Sequence, residues 1–508
     1  MLVPALVEAT RHQGVPDMRT SDIQVGHGID GAVRALPVRN PRTGKSDFTL
    51  DCASPATIRA SALKLREAQT LWASRSDGER TDALLRWAAA IDDAAASITS
   101  ALTKDTGRRR LSQIETATVT QLIRRWAARA PGLLGRQRQM HQPTATPSIS
   151  TTTLPIPYSL VGIISPWNFP LVLSLIDAVP ALAAGCAVLI KPSEVTPRFV
   201  NPLLEATRRV PEIAAILDVV QGDGATGAAL IEQVDYICFT GSVATGRKVA
   251  VAAAQAFIPA SLELGGKDPM VVLSSADPVQ AAATALRASI VNTGQACQSI
   301  ECVYVARPIA KPFLTALTDA AAQVQLNYPD LEHGDIGPFI FEKQASIVQA
   351  QIDDARAKGA RVLTGGSVQQ LGGGLYLMPT VMTGLTPDMA LMSEETFGPV
   401  IPVVLFDTPE EAVRLANQGR YGLSAAVLAG TAEEAETLGA QLEVGAVAIN
   451  DGSLTGIVWE AEKSSFKESG LGPSRMGDSG LLRFLRKRLL IRQTAAPAPL
   501  AVYAESPR

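Results

Sequence analysis

Two residues near the middle of this chain could do covalent chemistry on a carbonyl group. Glu263 opens the run Glu263-Leu264-Gly265-Gly266-Lys267, and Cys297 lies in Gly294-Gln295-Ala296-Cys297-Gln298. A thiolate attacks carbonyl carbon readily, and a carboxylate made more basic by burial can take a proton from water to release whatever the sulfur has trapped. The flanking glycines suit such work, because a backbone without Cβ lets a flat cofactor or a small substrate approach closely. Taken singly, a cysteine in an apolar chain usually packs in a core, and a glutamate usually sits on a solvated surface. Their meaning depends on what the rest of the chain places around them.

Upstream lie short runs at 161–165, 187–190, 217–220 and 236–239, too continuously apolar to alternate and each followed by helix-like sequence. Strands buried on both faces by helices read this way, so a parallel α/β sheet is expected. Such sheets bind ligands at the carboxyl ends of their strands. The residues there are Pro166-Trp167-Asn168-Phe169-Pro170, Lys191-Pro192-Ser193-Glu194, Gly222-Asp223-Gly224 and Thr240-Gly241-Ser242. The stretch 222–227 matches GxGxxG literally, but the acidic residue expected at the end of the next strand is absent, which weakens that fingerprint. A second loop, Gly241 to Gly246, opens a helix whose amides could bind phosphate. Lys191 and Glu194 supply a cation and a carboxylate suited to ribose hydroxyls. Together these turns describe a nucleotide site.

The remaining chain supports this core. Residues 1 to about 35 read as an extended or partly mobile arm, and Asn40-Pro41-Arg42-Thr43-Gly44 as a turn. Amphipathic helices are expected over 55–74, 79–104 and 111–134, with Arg108-Arg109-Arg110 as a solvated loop. The polar stretch 137–153 suggests exposed strands that need a partner. Beyond Cys297, alternating strand and helix signals from 301 to 450 imply a second α/β unit. The basic run 483–492 reads as a solvated helix end leading into a strand, and the Ala- and Pro-rich residues 496–508 as a disordered tail.

At 508 residues the chain is too long for one hydrophobic core, so two or three packed units are expected. Lys plus Arg number 46 against 49 Asp plus Glu, a balance that gives no reason to expect nucleic acid or an anionic membrane as partner. No targeting segment or membrane-spanning run stands out, so a soluble cytoplasmic protein with a small-molecule partner is expected. Five scattered cysteines argue against a disulfide framework, and four mutually distant histidines argue against a zinc site.

The motifs taken together resemble the NAD(P)-dependent aldehyde dehydrogenase superfamily, over about residues 38 to 492. The resemblance rests on Pro166-Trp167-Asn168-Phe169-Pro170, Lys191-Pro192-Ser193-Glu194, Phe239-Thr240-Gly241-Ser242, Glu263-Leu264-Gly265-Gly266, Gly294-Gln295-Ala296-Cys297 and Glu395-Thr396-Phe397-Gly398-Pro399, in the family's order. It implies an α/β fold with a Rossmann-type cofactor domain (1–134 and 158–264), a catalytic domain (265–466) and a small β oligomerisation element (135–157 and 487–495). It further implies oxidation of an aldehyde to the acid. Cys297 would form a thiohemiacetal and then a thioester, Asn168 would stabilise the oxyanion, and Glu263 would activate water. Pro166, Trp167, Lys191, Glu194, Gly224, Thr240, Gly241, Ser242, Gly246, Gly265, Glu395 and Phe397 would hold the cofactor.

The resemblance also sorts finer alternatives. A carboxylate at 263 favours hydrolysis over transfer of the acyl group to coenzyme A, and joint retention of Cys297, Glu263 and Asn168 disfavours an inactive nucleotide-binding relative. Glu194 would repel the 2'-phosphate of NADP, so NAD is expected, with NADP possible. Leu173, Ile176 and Val291 fall on positions that often line the family's substrate tunnel. Their apolar character suggests a hydrophobic aliphatic or aromatic aldehyde, and the absence of an Arg beside Cys297 disfavours an acid-terminated semialdehyde. The chain departs from the family near its end. Many members carry Phe-Gly-Gly two residues before Lys-x-Ser-Gly, where this chain has Glu462-Lys463-Ser464-Ser465-Phe466-Lys467-Glu468-Ser469-Gly470. A homodimer or homotetramer is implied.

Overall fold

The computed structural model describes residues 34–503 and 505. Most of the expected N-terminal arm therefore lies outside the described residues. The turn at Asn40 to Gly44 joins a hairpin of strands Ala35–Arg39 and Ser46–Asp51, which the sequence reading did not name.

Four of the apolar runs form the heart of a six-stranded sheet. Its order is Gly470–Leu471, Ala260–Glu263, Tyr236–Thr240, Leu160–Ile164, Ala187–Lys191, Leu217–Val219, all parallel except the first, which pairs antiparallel with Ala260–Glu263. Chain order runs outward in one direction from Leu160–Ile164 and then outward in the other from Tyr236–Thr240. The point where connections diverge is where open α/β sheets leave a crevice for a ligand. The turns Pro166-Trp167-Asn168 and Thr240-Gly241-Ser242 therefore flank that crevice.

Helices cover the sheet. Pro55–Ser74 buries Ile58, Ala62, Leu65, Gln69 and Trp72, spaced three and four apart along one face, and Ser54 caps it by accepting the Thr57 amide at 3.1 Å. The segment expected as one helix over 79–104 is two, Asp77–Asp93 and Ala95–Thr106. The expected solvated loop at Arg108 is corrected. Arg108 is buried and donates to Pro338 O at 3.2 Å, and Arg109 already lies in the long helix Arg109–Gln137.

The second sheet has seven strands, ordered Arg361–Val362, Thr380–Thr383, Val400–Phe406, Ile300–Ala306, Asp268–Val272, Ser424–Leu428, Ala446–Ile449. Only the first of these pairs antiparallel. Between the sheets run Glu263 to Asp268 and the loop bearing Cys297. A third, three-stranded antiparallel sheet joins Leu485–Gln493, Ile149–Pro157 and Gln139–Pro143, with Leu489, Leu490 and Ile491 exposed. Arg483, expected at a solvated helix end, is instead fully buried against Asp177, and Met476, Leu481 and Phe484 pack into the core of the first sheet. The tail expected to be disordered holds one exposed helical turn, Leu500–Tyr503. Among the described residues no helix is long and apolar enough to cross a membrane.

Candidate active site

Cys297 stands in the turn before strand Ile300–Ala306. The chain reaches it through three successive residues in the left-handed region, Asn292 (φ 55°), Thr293 (φ 56°) and Gly294 (φ 69°). For the β-branched Thr293 this conformation is costly, and such strain persists only where neighbours enforce it. Thr293 Oγ1 bonds Gly337 O at 3.1 Å, and buried Gln295 donates to Asn292 O at 3.1 Å while accepting the Ile340 amide at 2.9 Å. Gly294 is required twice over, because a Cβ there would lie 2.2 Å from Gly398 O.

The same network brings Asn168 in. Its side-chain amide donates to Gln295 O at 3.1 Å, and Asn292 returns a bond to Asn168 O at 3.0 Å. One of the two Asn168 N–H groups is thus used in orienting the side chain, and the second has no hydrogen-bond partner among the described residues.

Glu263 ends strand Ala260–Glu263, beside Thr240 across the parallel ladder. Its Oε2 accepts from Ser465 Oγ at 3.3 Å, and its Oε1 lies 3.9 Å from Arg475 Nε. Arg475 is in turn fixed by donating to Asp177 Oδ2 at 2.7 Å and to Thr240 Oγ1 at 2.6 Å, while Arg483 holds the other Asp177 oxygen. Burial pushes the Cys297 thiol up to about 12. The Lys463 ammonium opposes this, and the carboxylates of Asp268, Glu395 and Glu263 add to it. The electrostatic influence of all four charges on the sulfur marks one cluster drawn from distant parts of the chain.

The candidate cofactor residues line the crevice side. Lys191 ends its strand and donates to Glu194 Oε2 at 3.0 Å. Pro166 and Trp167 follow Leu160–Ile164, and the Trp167 ring meets Phe397 edge-on at 5.4 Å. Gly224 opens helix Gly224–Ile231 onto free space. Ser242 caps helix Val243–Gln255 by accepting the Thr245 amide at 3.3 Å, with Gly246 in its first turns, and the Gly241 amide donates to Glu263 O at 3.1 Å. The Thr240 hydroxyl faces inward to Arg475. A Cβ on Gly265 would lie 2.4 Å from Glu395 Oε2, so glycine there lets that carboxylate lie flat against the backbone, where Gly266 N donates to Glu395 Oε1 at 3.2 Å. Burial, and then Glu301, push the Glu395 carboxyl up. These open glycine turns, a capped helix end and a Lys-Glu pair fit a dinucleotide.

Of the three apolar candidates, Ile176 is buried in the first core, Leu173 packs against that core, and Val291 is 39% exposed. Several contributors escaped the sequence reading. Glu301 accepts Lys267 Nζ at 3.0 Å and the amides of Thr396 and Phe397 at 2.7 Å each, bracing Phe397 in its left-handed conformation (φ 54°). Lys463, Ser465, Arg475 and Asp177 carried no motif. The available signal was the position of Lys267 directly after Glu263-Leu264-Gly265-Gly266, which invites a search for its counter-ion.

A crevice at the strand ends of a parallel sheet, beside a braced cysteine loop, is an arrangement that can set a nucleotide near a thiol. The profile of the Aldehyde dehydrogenase family matches residues 29–489, and the chain belongs to that family. It is 35% identical over 456 residues to the protein called "Putative succinate-semialdehyde dehydrogenase, NADP(+)" of Mycolicibacterium smegmatis, covering 89% of this chain and 88% of that one. Among solved structures it is similar to "Putative Aldehyde Dehydrogenase PutA" from Anabaena variabilis, at 48% identity and TM-score 0.90, covering 92% of this chain and 99% of that one. It is also similar to betaine aldehyde dehydrogenase from Staphylococcus aureus in complex with NAD+, at 27% identity and TM-score 0.86, covering 93% and 94%.

Proposed function

We propose that this protein oxidises an aldehyde to its carboxylic acid, with Cys297 as nucleophile, Asn168 as oxyanion donor and Glu263 as general base. The observation that carries this reading is the hydrogen bond from Asn168 to the backbone of the Cys297 loop, beside a Glu263 carboxylate held by Ser465 and Arg475. Burial keeps the resting thiol protonated, so its proton must leave as sulfur attacks, and Glu263 would receive it and pass it to solvent. The oxyanion that forms would meet the free N–H of Asn168 and the backbone N–H of Cys297, each donor contributing roughly 3 kcal/mol of transition-state stabilisation. Loss of hydride from the resulting thiohemiacetal to bound NAD would leave a thioester, and Glu263, its carboxylate restored, would take a proton from water as the water oxygen displaces the sulfur and releases the acid.

NAD fits the crevice through Pro166, Trp167, Lys191, Glu194, Gly224, Gly241, Ser242, Gly246, Gly265, Glu395 and Phe397, and when bound it supplies a hydride acceptor. Glu194, beside Lys191, disfavours the additional phosphate of NADP without excluding it. The exposed apolar residues Leu489, Leu490 and Ile491 on the three-stranded sheet favour a homo-oligomer. Five free cysteines suit the cytoplasm.

The test is NADH formation from aldehydes by wild type and Cys297→Ala, with and without coenzyme A, together with identification of the product. Turnover to the free acid without coenzyme A, abolished in the variant, is expected. A strict requirement for coenzyme A would replace hydrolysis by acyl transfer, and NADH formation persisting in Cys297→Ala would remove the thiol mechanism.

A further inference from the structure

The site contains a cation that no carboxylate holds. Lys191 and Lys267 each reach a carboxylate at 3.0 Å. Lys463 Nζ instead lies 3.4 Å from the carbonyl of Thr455, and among the described residues no carboxylate is within ion-pair distance of it. Its surroundings are tied to both reactive residues. The Thr455 hydroxyl donates to Gln298 Oε1 at 3.2 Å, next to Cys297, and Ser465 on the same loop as Lys463 donates to Glu263 Oε2 at 3.3 Å. Of the charges acting on the Cys297 thiol, that of Lys463 is the strongest. Counted back from Lys467-Glu468-Ser469-Gly470, Lys463 occupies the place where many family members carry the phenylalanine of Phe-Gly-Gly.

We propose that Lys463 binds the distal carboxylate of an acid-terminated aldehyde whose carbonyl carbon lies at Cys297. A neutral alkyl chain would strip water from the ammonium and return nothing, whereas a carboxylate replaces that water with a charge-assisted hydrogen bond. The single long contact to Thr455 O leaves donors of the ammonium available. No cation lies beside Cys297 in the chain, and Lys463 reaches the site from the C-terminal loop. This inference rests on the dehydrogenase reading above.

The experiment compares kcat/KM for succinic semialdehyde and butanal, which share a chain length and differ in the carboxylate. Wild type should prefer the semialdehyde. Lys463→Met should lower the ratio of the two by roughly tenfold, the value of one charge-assisted hydrogen bond, and Lys463→Arg should preserve most of it. A second readout needs no cofactor: the rate of Cys297 alkylation by iodoacetate relative to neutral iodoacetamide should fall in Lys463→Met. A wild-type preference for butanal overturns the inference, as do equal losses on both aldehydes in Lys463→Met or an unchanged alkylation ratio. If wild type oxidises neither aldehyde nor any other, the dehydrogenase reading fails, and the alkylation ratio still decides whether Lys463 attracts an anion to the thiol.

Discussion

Replacing Arg475 with methionine removes a guanidinium that donates to the buried Asp177 and lies 3.9 Å from the candidate base Glu263. Asp177 and Arg483 side chains are each 1% exposed and Arg475 is 7% exposed, so none of the three charges has water to fall back on. Burial alone would push the Asp177 carboxyl up, yet Arg475 and Arg483 hold it below the ordinary aspartate range. Breaking a buried pair costs about 3–5 kcal/mol, and because Arg483 remains on Asp177 the lower end applies, about 3 kcal/mol. Asp177→Asn should cost a similar ~3 kcal/mol by leaving two guanidiniums facing each other. The double variant keeps only Arg483 opposite a neutral amide, so its loss should fall well short of the sum, giving a coupling of about 2 kcal/mol. Urea denaturation followed by tryptophan fluorescence measures all four proteins. Arg475→Met should also slow acid release, seen as an NADH burst followed by a lower steady rate, because Glu263 loses its cation. Single losses that add to within about 0.5 kcal/mol would refute the network as described.

Other substitutions test separate parts of the site. Glu194→Gln should raise the NADP-to-NAD ratio of kcat/KM roughly fivefold, the worth of about 1 kcal/mol of repulsion at a partly exposed position; an unchanged ratio would place the discrimination elsewhere. Gly294→Ala puts a methyl 2.2 Å from Gly398 O at φ 69° and must displace the Cys297 loop, so activity should fall by about a hundredfold or more. Near-normal rates there would mean that the loop tolerates movement. Buried Glu115 accepts the amides of Leu171 at 2.7 Å and Val172 at 2.9 Å, and burial pushes its carboxyl up to about 7. Since that lies above the unfolded value of about 4.3, the folded protein keeps the proton longer, and stability falls as pH rises from about 4 to 7 by roughly 3 kcal/mol. Denaturation midpoints across this range should show a shallower fall in Glu115→Gln, and parallel curves would count against the assignment.

The parts of this molecule that were legible in its sequence are those where backbone geometry restricts residue type. Strands covered on both faces show as continuous apolar runs, so Leu160–Ile164, Ala187–Lys191 and Tyr236–Thr240 stood out. The turns at their ends stood out because glycine and proline are needed where the chain bends sharply or lies against a ligand. Charge carries no such mark. Arg108, Arg483, Asp177 and Arg475 look like any surface residue until the fold shows what they face, and Arg108 and Arg483 were expected in water for that reason. Short strands such as Arg361–Val362, and the hairpin at Ala35–Arg39, are too brief for periodicity to register.

The proposed reaction depends on a few groups whose neighbouring backbone is distinctive, above all the left-handed residues 292–294 that lead to Cys297, so it can be read from motifs. Substrate choice can depend on side chains that enter from separate loops and need only the right charge at the right distance, the role proposed for Lys463 on the C-terminal loop. Changing such a residue leaves the motifs between 166 and 399 intact while putting an ammonium where many family members carry phenylalanine. A chain can therefore declare its chemistry through 263–297 and still keep its preferred aldehyde in the 459–467 loop, where the family pattern is absent.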